Sequence, residues 1–162
     1  MSTYNLKTGD ILLFDNEGGG SMGVFSWLIK KATDSNITHV AMVLKDPVFI
    51  SPVLKGYYVW ESGWEGTPDP QDGKVKFGVQ ITPLEEILQS YQKTKGKIYV
   101  RRARYKQDLF TTEKLEEIHK VVYNKVYDIV PKDWFEAMFR RDDSPQKTSR
   151  FWCSALVGYI YV

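Results

Sequence analysis

The apolar residues of the chain fall first into short runs and then into longer helical repeats. "DILLF" (residues 10–14) follows "KTG", a turn signal, and predicts a buried strand. "THVAMVL" (38–44) and "GYYVWES" (56–62) are rich in apolar and β-branched residues and predict two more strands. "KFGVQIT" (76–82) alternates, with Phe77, Val79 and Ile81 on one face. "KIYVRRA" (97–103) puts Ile98 and Val100 on one face and Tyr99 and Arg101 on the other. Between these two, "PLEEILQSY" predicts a helix with Pro83 in its first turn. "VFSWLIKKA" (24–32), after the glycine-rich loop "DNEGGGSMG", predicts a short amphipathic helix.

The clearest helical period lies in "TTEKLEEIHKVVYNKVYDIV", where Leu115, Ile118, His119, Val122 and Val126 recur on one face. This helix is expected to run to Pro131. "DWFEAMF" predicts a short helix, "RRDDSPQKTSR" a charged loop, and a last helix begins near Phe151. The order of elements predicts an α+β fold, with a mostly antiparallel sheet or small barrel packed against helices.

Composition narrows the function. The hydrophobic fraction of 43% and charged fraction of 26% are those of an ordinary globular domain, and 162 residues suffice for one core. A formal charge of +2 argues against a nucleic-acid partner, leaving only local basic groups such as Arg101, Arg102 and Arg104. One cysteine excludes an internal disulfide and fits a reducing compartment. The N-terminus has no apolar stretch of the signal-peptide kind and no run approaches a membrane span, so a cytoplasmic location is expected.

Chemistry centres on "RFWCSALVGYIYV". Cys153 falls in the first turn of the last helix, beside an apolar stripe of Phe151, Trp152, Ala155, Leu156, Tyr159 and Ile160. Free backbone N–H groups and the positive helix end favour a thiolate there and can hold an oxyanion. Free cysteine is also among the most commonly buried residues, so the segment by itself reads first as plain core. The chain has two histidines. His119 lies on the apolar face of the long helix and reads as a packed core residue, whereas His39 opens a strand, where its ring can reach a sheet edge. Glu61 ends "YYVWE" on a strand expected beside that of His39 and can orient the ring; Glu65, in the loop "GWEGTPD", is a weaker rival. No zinc-type Cys/His spacing occurs.

The order of these blocks is more specific than any one of them. "GDILLF", "THVAMVL", "VWES", "FGVQITPLEEI" and "FWCSALV", in that series, resemble the circularly permuted papain-like enzymes of the NlpC superfamily, in its YiiX/YaeF-like branch with poxvirus relatives. The resemblance implies a single permuted papain-like domain over residues 1–162, cut short after the last helix. It implies Cys153 as nucleophile, His39 as base and Glu61 as the third polar residue, with Asp10 near the site and Trp152 and Ser154 beside the nucleophile as substrate or oxyanion support. Ala41 stands where glycine often follows His-Val.

The function so implied is a cysteine-dependent acyl hydrolase or transferase working through a thioester, with no metal or organic cofactor. The expected substrate is a peptide, an amide or a lipid acyl group. Peripheral membrane contact would come through "MGVFSWLIKKA", with Lys30 and Lys31, and Trp60, Trp64 and Trp152 lie near the proposed catalytic residues in sequence. The alternative is a non-enzymatic membrane- or protein-binding module on the same fold.

Overall fold

The computed structural model describes residues 5–15, 35–102, 109–127 and 153–162. In chain order these form β1 (Ile11–Asp15), β2 (His39–Lys45), β3 (Tyr57–Gly63), β4 (Gly78–Pro83), α1 (Leu84–Gln92), β5 (Lys97–Arg101), α2 (Thr112–Val122) and α3 (Cys153–Tyr161). The five strands make one antiparallel sheet in the order β4-β3-β2-β1-β5. The fold is therefore α+β, as the pattern predicts. Among the described residues β4 and β5 are its two edges and do not pair, so the sheet is open and the small-barrel variant is excluded.

Period-two alternation divides the sheet into two faces, each covered by helix. On one face Met42, Leu44, Trp60, Val79 and Ile81 pack with Leu115 and Val122 of α2 and with Leu156 and Ile160 of α3. On the other, Leu12, Phe14, Ala41, Val43 and Val59 pack with Leu84 and Ile87 of α1. The central strand β2 is apolar on both faces, which is why "AMVL" reads as a continuous run rather than an alternation.

The long helix ends earlier than its period predicts. α2 stops at Val122, Asn124 takes a left-handed conformation (φ 58°), and Val126 forms a bridge with Gly78. The backbone N–H of Val79 donates to the Lys125 carbonyl and that of Tyr127 to the Phe77 carbonyl. Free backbone groups at the entry to edge strand β4 thus take up the chain, and asparagine tolerates the turn that delivers it. Val126, counted on the helical apolar face, is half-exposed instead. The predicted helices at 24–32 and in "DWFEAMF", the glycine-rich loop and "RRDDSPQKTSR" lie outside the described residues.

Candidate active site

His39 is the first residue of β2, paired with Phe14, the fourth residue of β1. This register puts its ring on the α1 face of the sheet, while α3 packs on the opposite face. The two meet at the start of β2, where the sulfur of Cys153 faces both His39 and the Val40 N–H. The ring is tilted against Phe14, with centroids 5.2 Å apart, and Phe14 in turn packs on Tyr91 of α1 at 5.3 Å. Across the sheet it lies over Gly63, whose hydrogen faces the His39 Cε1; a methyl there would stand 3.4 Å from that atom.

Glu61 lies on β3, on the same face, with no exposed surface. Its two oxygens are used separately. Oε2 is 2.7 Å from Nε2 of His39, and Oε1 accepts from the Thr82 hydroxyl at 2.7 Å. A buried carboxylate needs such partners, because an unsatisfied one carries a large desolvation cost. Thr82 was not singled out from sequence. The signal was present, since the apolar alternation of "FGVQIT" leaves Gln80 and Thr82 together on the other face.

Cys153 opens α3, partly buried and hydrogen-bonded to His39. Because Glu61 engages Nε2, Nδ1 is the ring nitrogen left for the sulfur. Burial alone would raise the thiol pKa, but the hydrogen bond and positive charge of His39, with the backbone N–H groups of Val40 and Ser154, hold it below the ordinary cysteine value. Burial alone would lower the histidine pKa, but hydrogen bonds and charge from Cys153 and Glu61 push it well above its ordinary value. Both shifts favour a thiolate–imidazolium pair. His39 is 21% exposed at the side chain, so the pair opens to solvent on one side.

The third acidic group is Glu65, in the loop after β3. Burial and the neighbouring Glu61 push its carboxyl up to about 8, against a smaller opposing effect of His39. Ligand-type atoms of His39, Glu61 and Glu65 all lie within 4.8 Å of one another. The role foreseen for Glu65, an alternative orienting group, falls to Glu61.

The remaining candidates divide. Ser154 has an exposed side chain, and its backbone N–H faces the sulfur. Trp152 lies outside the described residues. Asp10 does not belong to the site. The β1–β2 register places it four residues before Phe14, about 13 Å along the strand from His39. Its carboxylate instead accepts from the Lys7 N–H at 2.9 Å, closing the turn that enters β1. Gly9, with φ 94°, makes that turn and accepts a hydrogen bond from the Tyr161 hydroxyl at the far end of α3. The Gly-Asp motif therefore holds the opposite end of the helix that begins at Cys153. Trp60 is core, and Trp64 is half-exposed, edge-on to Phe77. His119 is a packed residue, as its helical position predicts, with Nε2 2.7 Å from the Gln71 Oε1. No described helix is long and apolar enough to cross a membrane.

No protein-family model matches the chain. No curated protein matches it. Among solved structures, the metalloprotein YiiX of Escherichia coli O157:H7 superposes with a TM-score of 0.59 at 23% identity, over 98% of this chain and 66% of YiiX. The chain thus spans slightly less than two thirds of that protein. At this identity the likeness is one of backbone architecture, and the conclusion it supports is that the chain has a YiiX-like α+β fold.

Proposed function

We propose that the protein is a cysteine-dependent acyl hydrolase or acyl transferase of the permuted papain-like kind. The observation that carries this reading is the linear chain Cys153–His39–Glu61–Thr82, in which each polar group is held by the next. The Cys153 thiolate attacks a carbonyl carbon and forms a tetrahedral adduct. His39 then gives its proton to the leaving amine or alcohol, leaving a thioester on Cys153. Water, or another acceptor, gives up a proton to His39 and resolves the thioester. Glu61 fixes the ring so that Nδ1 faces the sulfur, and Thr82 fixes Glu61. Backbone N–H groups at the start of α3 are the candidate oxyanion donors. The substrate class is a peptide, amide or lipid acyl group, with peripheral membrane contact reserved for the lipid case.

YiiX is described as a metalloprotein. In this chain His39, Glu61 and Glu65 are the residues that would hold a divalent cation, through Nε2 and carboxylate oxygens. A bound dication supplies Lewis-acid chemistry. The thiol route above uses none of it.

The test uses two separate samples of chelator-treated protein at neutral pH: one is alkylated at Cys153 by iodoacetamide, the other, unalkylated, is incubated with an activated acyl ester. The native chain should react faster than a free thiol and gain one acyl mass on Cys153. His39→Ala should slow both reactions at least about tenfold. A rate no higher than that of a free thiol would sink the proposal.

A further inference from the structure

We infer that His39, Glu61 and Glu65 form a binding site for a divalent transition-metal ion of the zinc class, and that the bound ion takes His39 away from Cys153 as its proton carrier. The second half rests on the proposed function; the site itself does not.

The donor set carries the first half. One imidazole nitrogen and two carboxylates converge at the end of β3, with ligand atoms within 4.8 Å of one another. Tetrahedral ligands about 2.0–2.2 Å from an ion stand roughly 3.4 Å apart, so small rotations of Glu65 suffice to close the set. Mixed imidazole and carboxylate donors suit zinc, cobalt or nickel, whereas calcium requires six or more oxygens. Three protein ligands leave an open coordination position.

The surroundings already have the form of a metal site's outer shell. Glu61 is fully buried and pinned by Thr82 through the oxygen that does not face His39. The other side of the His39 ring is held by Cys153. Glu65 differs from these. Its carboxyl makes no hydrogen bond among the described residues, although it is drawn in beside Glu61 and His39. Two carboxylates held this close to one another and to an imidazole nitrogen form a donor set that a dication would bridge.

The consequence for His39 follows from imidazole chemistry. A neutral ring that gives its Nε2 lone pair to a metal carries its one proton on Nδ1. The proton formerly on Nε2 leaves to solvent. Such a ring still donates a hydrogen bond to the sulfur but cannot accept the thiol proton, nor act as an imidazolium acid towards a leaving group. Metal occupancy and acyl chemistry are therefore mutually exclusive.

The experiment uses the full chain, stripped with chelator and dialysed. Zinc is titrated by calorimetry, and cobalt by its visible absorption. One ion per chain is expected, with cobalt bands of a low-coordinate N/O site. Glu65→Gln should weaken zinc at least about tenfold, Glu65→Asp less, and His39→Gln should abolish the cobalt bands. Cys153→Ser should keep zinc affinity within about twofold, since sulfur is not a ligand. Zinc should slow alkylation of Cys153, and chelator should restore it. Absence of a stoichiometric ion, indifference to Glu65→Gln, or loss of binding in Cys153→Ser overturns the inference. Fast alkylation of a chain that binds no metal sinks this inference and leaves the thiol-hydrolase reading standing. Slow alkylation of the stripped chain with metal binding intact sinks the thiol-hydrolase reading, and with it the second half of this inference, and leaves the metal site standing.

Discussion

At the scale of single residues, the site depends on a charge distribution that two ordinary side chains do not have alone. Cys153 is shifted below its usual pKa and His39 above its own, with Glu61 among the causes of the second shift. The sign of the pH dependence follows. Both shifts act towards thiolate and imidazolium, so in chelator-treated protein alkylation should persist to lower pH than for an ordinary cysteine and fall on passing below the depressed thiol pKa. His39→Ala should return the midpoint towards that of a free thiol. Glu61→Gln keeps a hydrogen-bond partner for the ring but loses the charge, so its midpoint should fall between the two. Alkylation profiles of the three proteins decide this, and coincident midpoints would remove His39 and Glu61 from the account. Cys153 and His39 were legible as candidates because each opens an element, and Glu61 because its carboxylate ends the apolar run "YYVWE". Thr82 was not chosen, since a strand threonine carries no mark of its partner.

At the scale of elements, the period of apolar residues fixed most strands and helices but not where α2 ends. The decisive residue is Gly78, the first of β4. Its φ is 152°, and a methyl there would stand 2.2 Å from the Lys125 carbonyl oxygen and 2.8 Å from the Val126 Cα. Both contacts are backbone, so neither can move aside as a flexible side chain would. Gly78→Ala should destabilise the fold by about 2 kcal/mol or more, read from the urea midpoint. A loss below about 0.5 kcal/mol would mean that the return of residues 125–127 to the sheet contributes little. Helical spacing of Val122 and Val126 could not disclose this, because the competing interaction comes from a strand more than forty residues away.

For the molecule as a whole, α3 is a strut laid along β2. Its nine residues rise about 12 Å from Cys153 to Tyr161, close to the 13 Å or so of strand between His39 and the Gly9-Asp10 turn. The short final helix thus reaches from the Cys153–His39 pair to the other end of the sheet. The Tyr161 hydroxyl on the Gly9 carbonyl closes that span, and its ring stands edge-on to Phe110. Tyr161→Phe keeps the ring and removes the hydrogen bond. It should cost about 1 kcal/mol in thermal or urea unfolding and speed amide exchange along α3. Unchanged exchange there would show that apolar packing of Leu156 and Ile160 alone seats the helix.

The sequence by itself determined the α+β class, the strand candidates, the helix that bears Cys153 and the place of His119 on a packed helical face. Periodicity and position within an element are local properties, and each of these rests on them. Only the tertiary structure decided the open sheet, the end of α2, the partnership of Glu61 with Thr82 and the convergence of Glu65 on His39 and Glu61. It also moved Asp10 from the reactive end to the anchoring end. Those outcomes depend on strand register, and shifting the pairing of β1 and β2 by one residue would turn every side chain to the other face without changing a letter of the sequence.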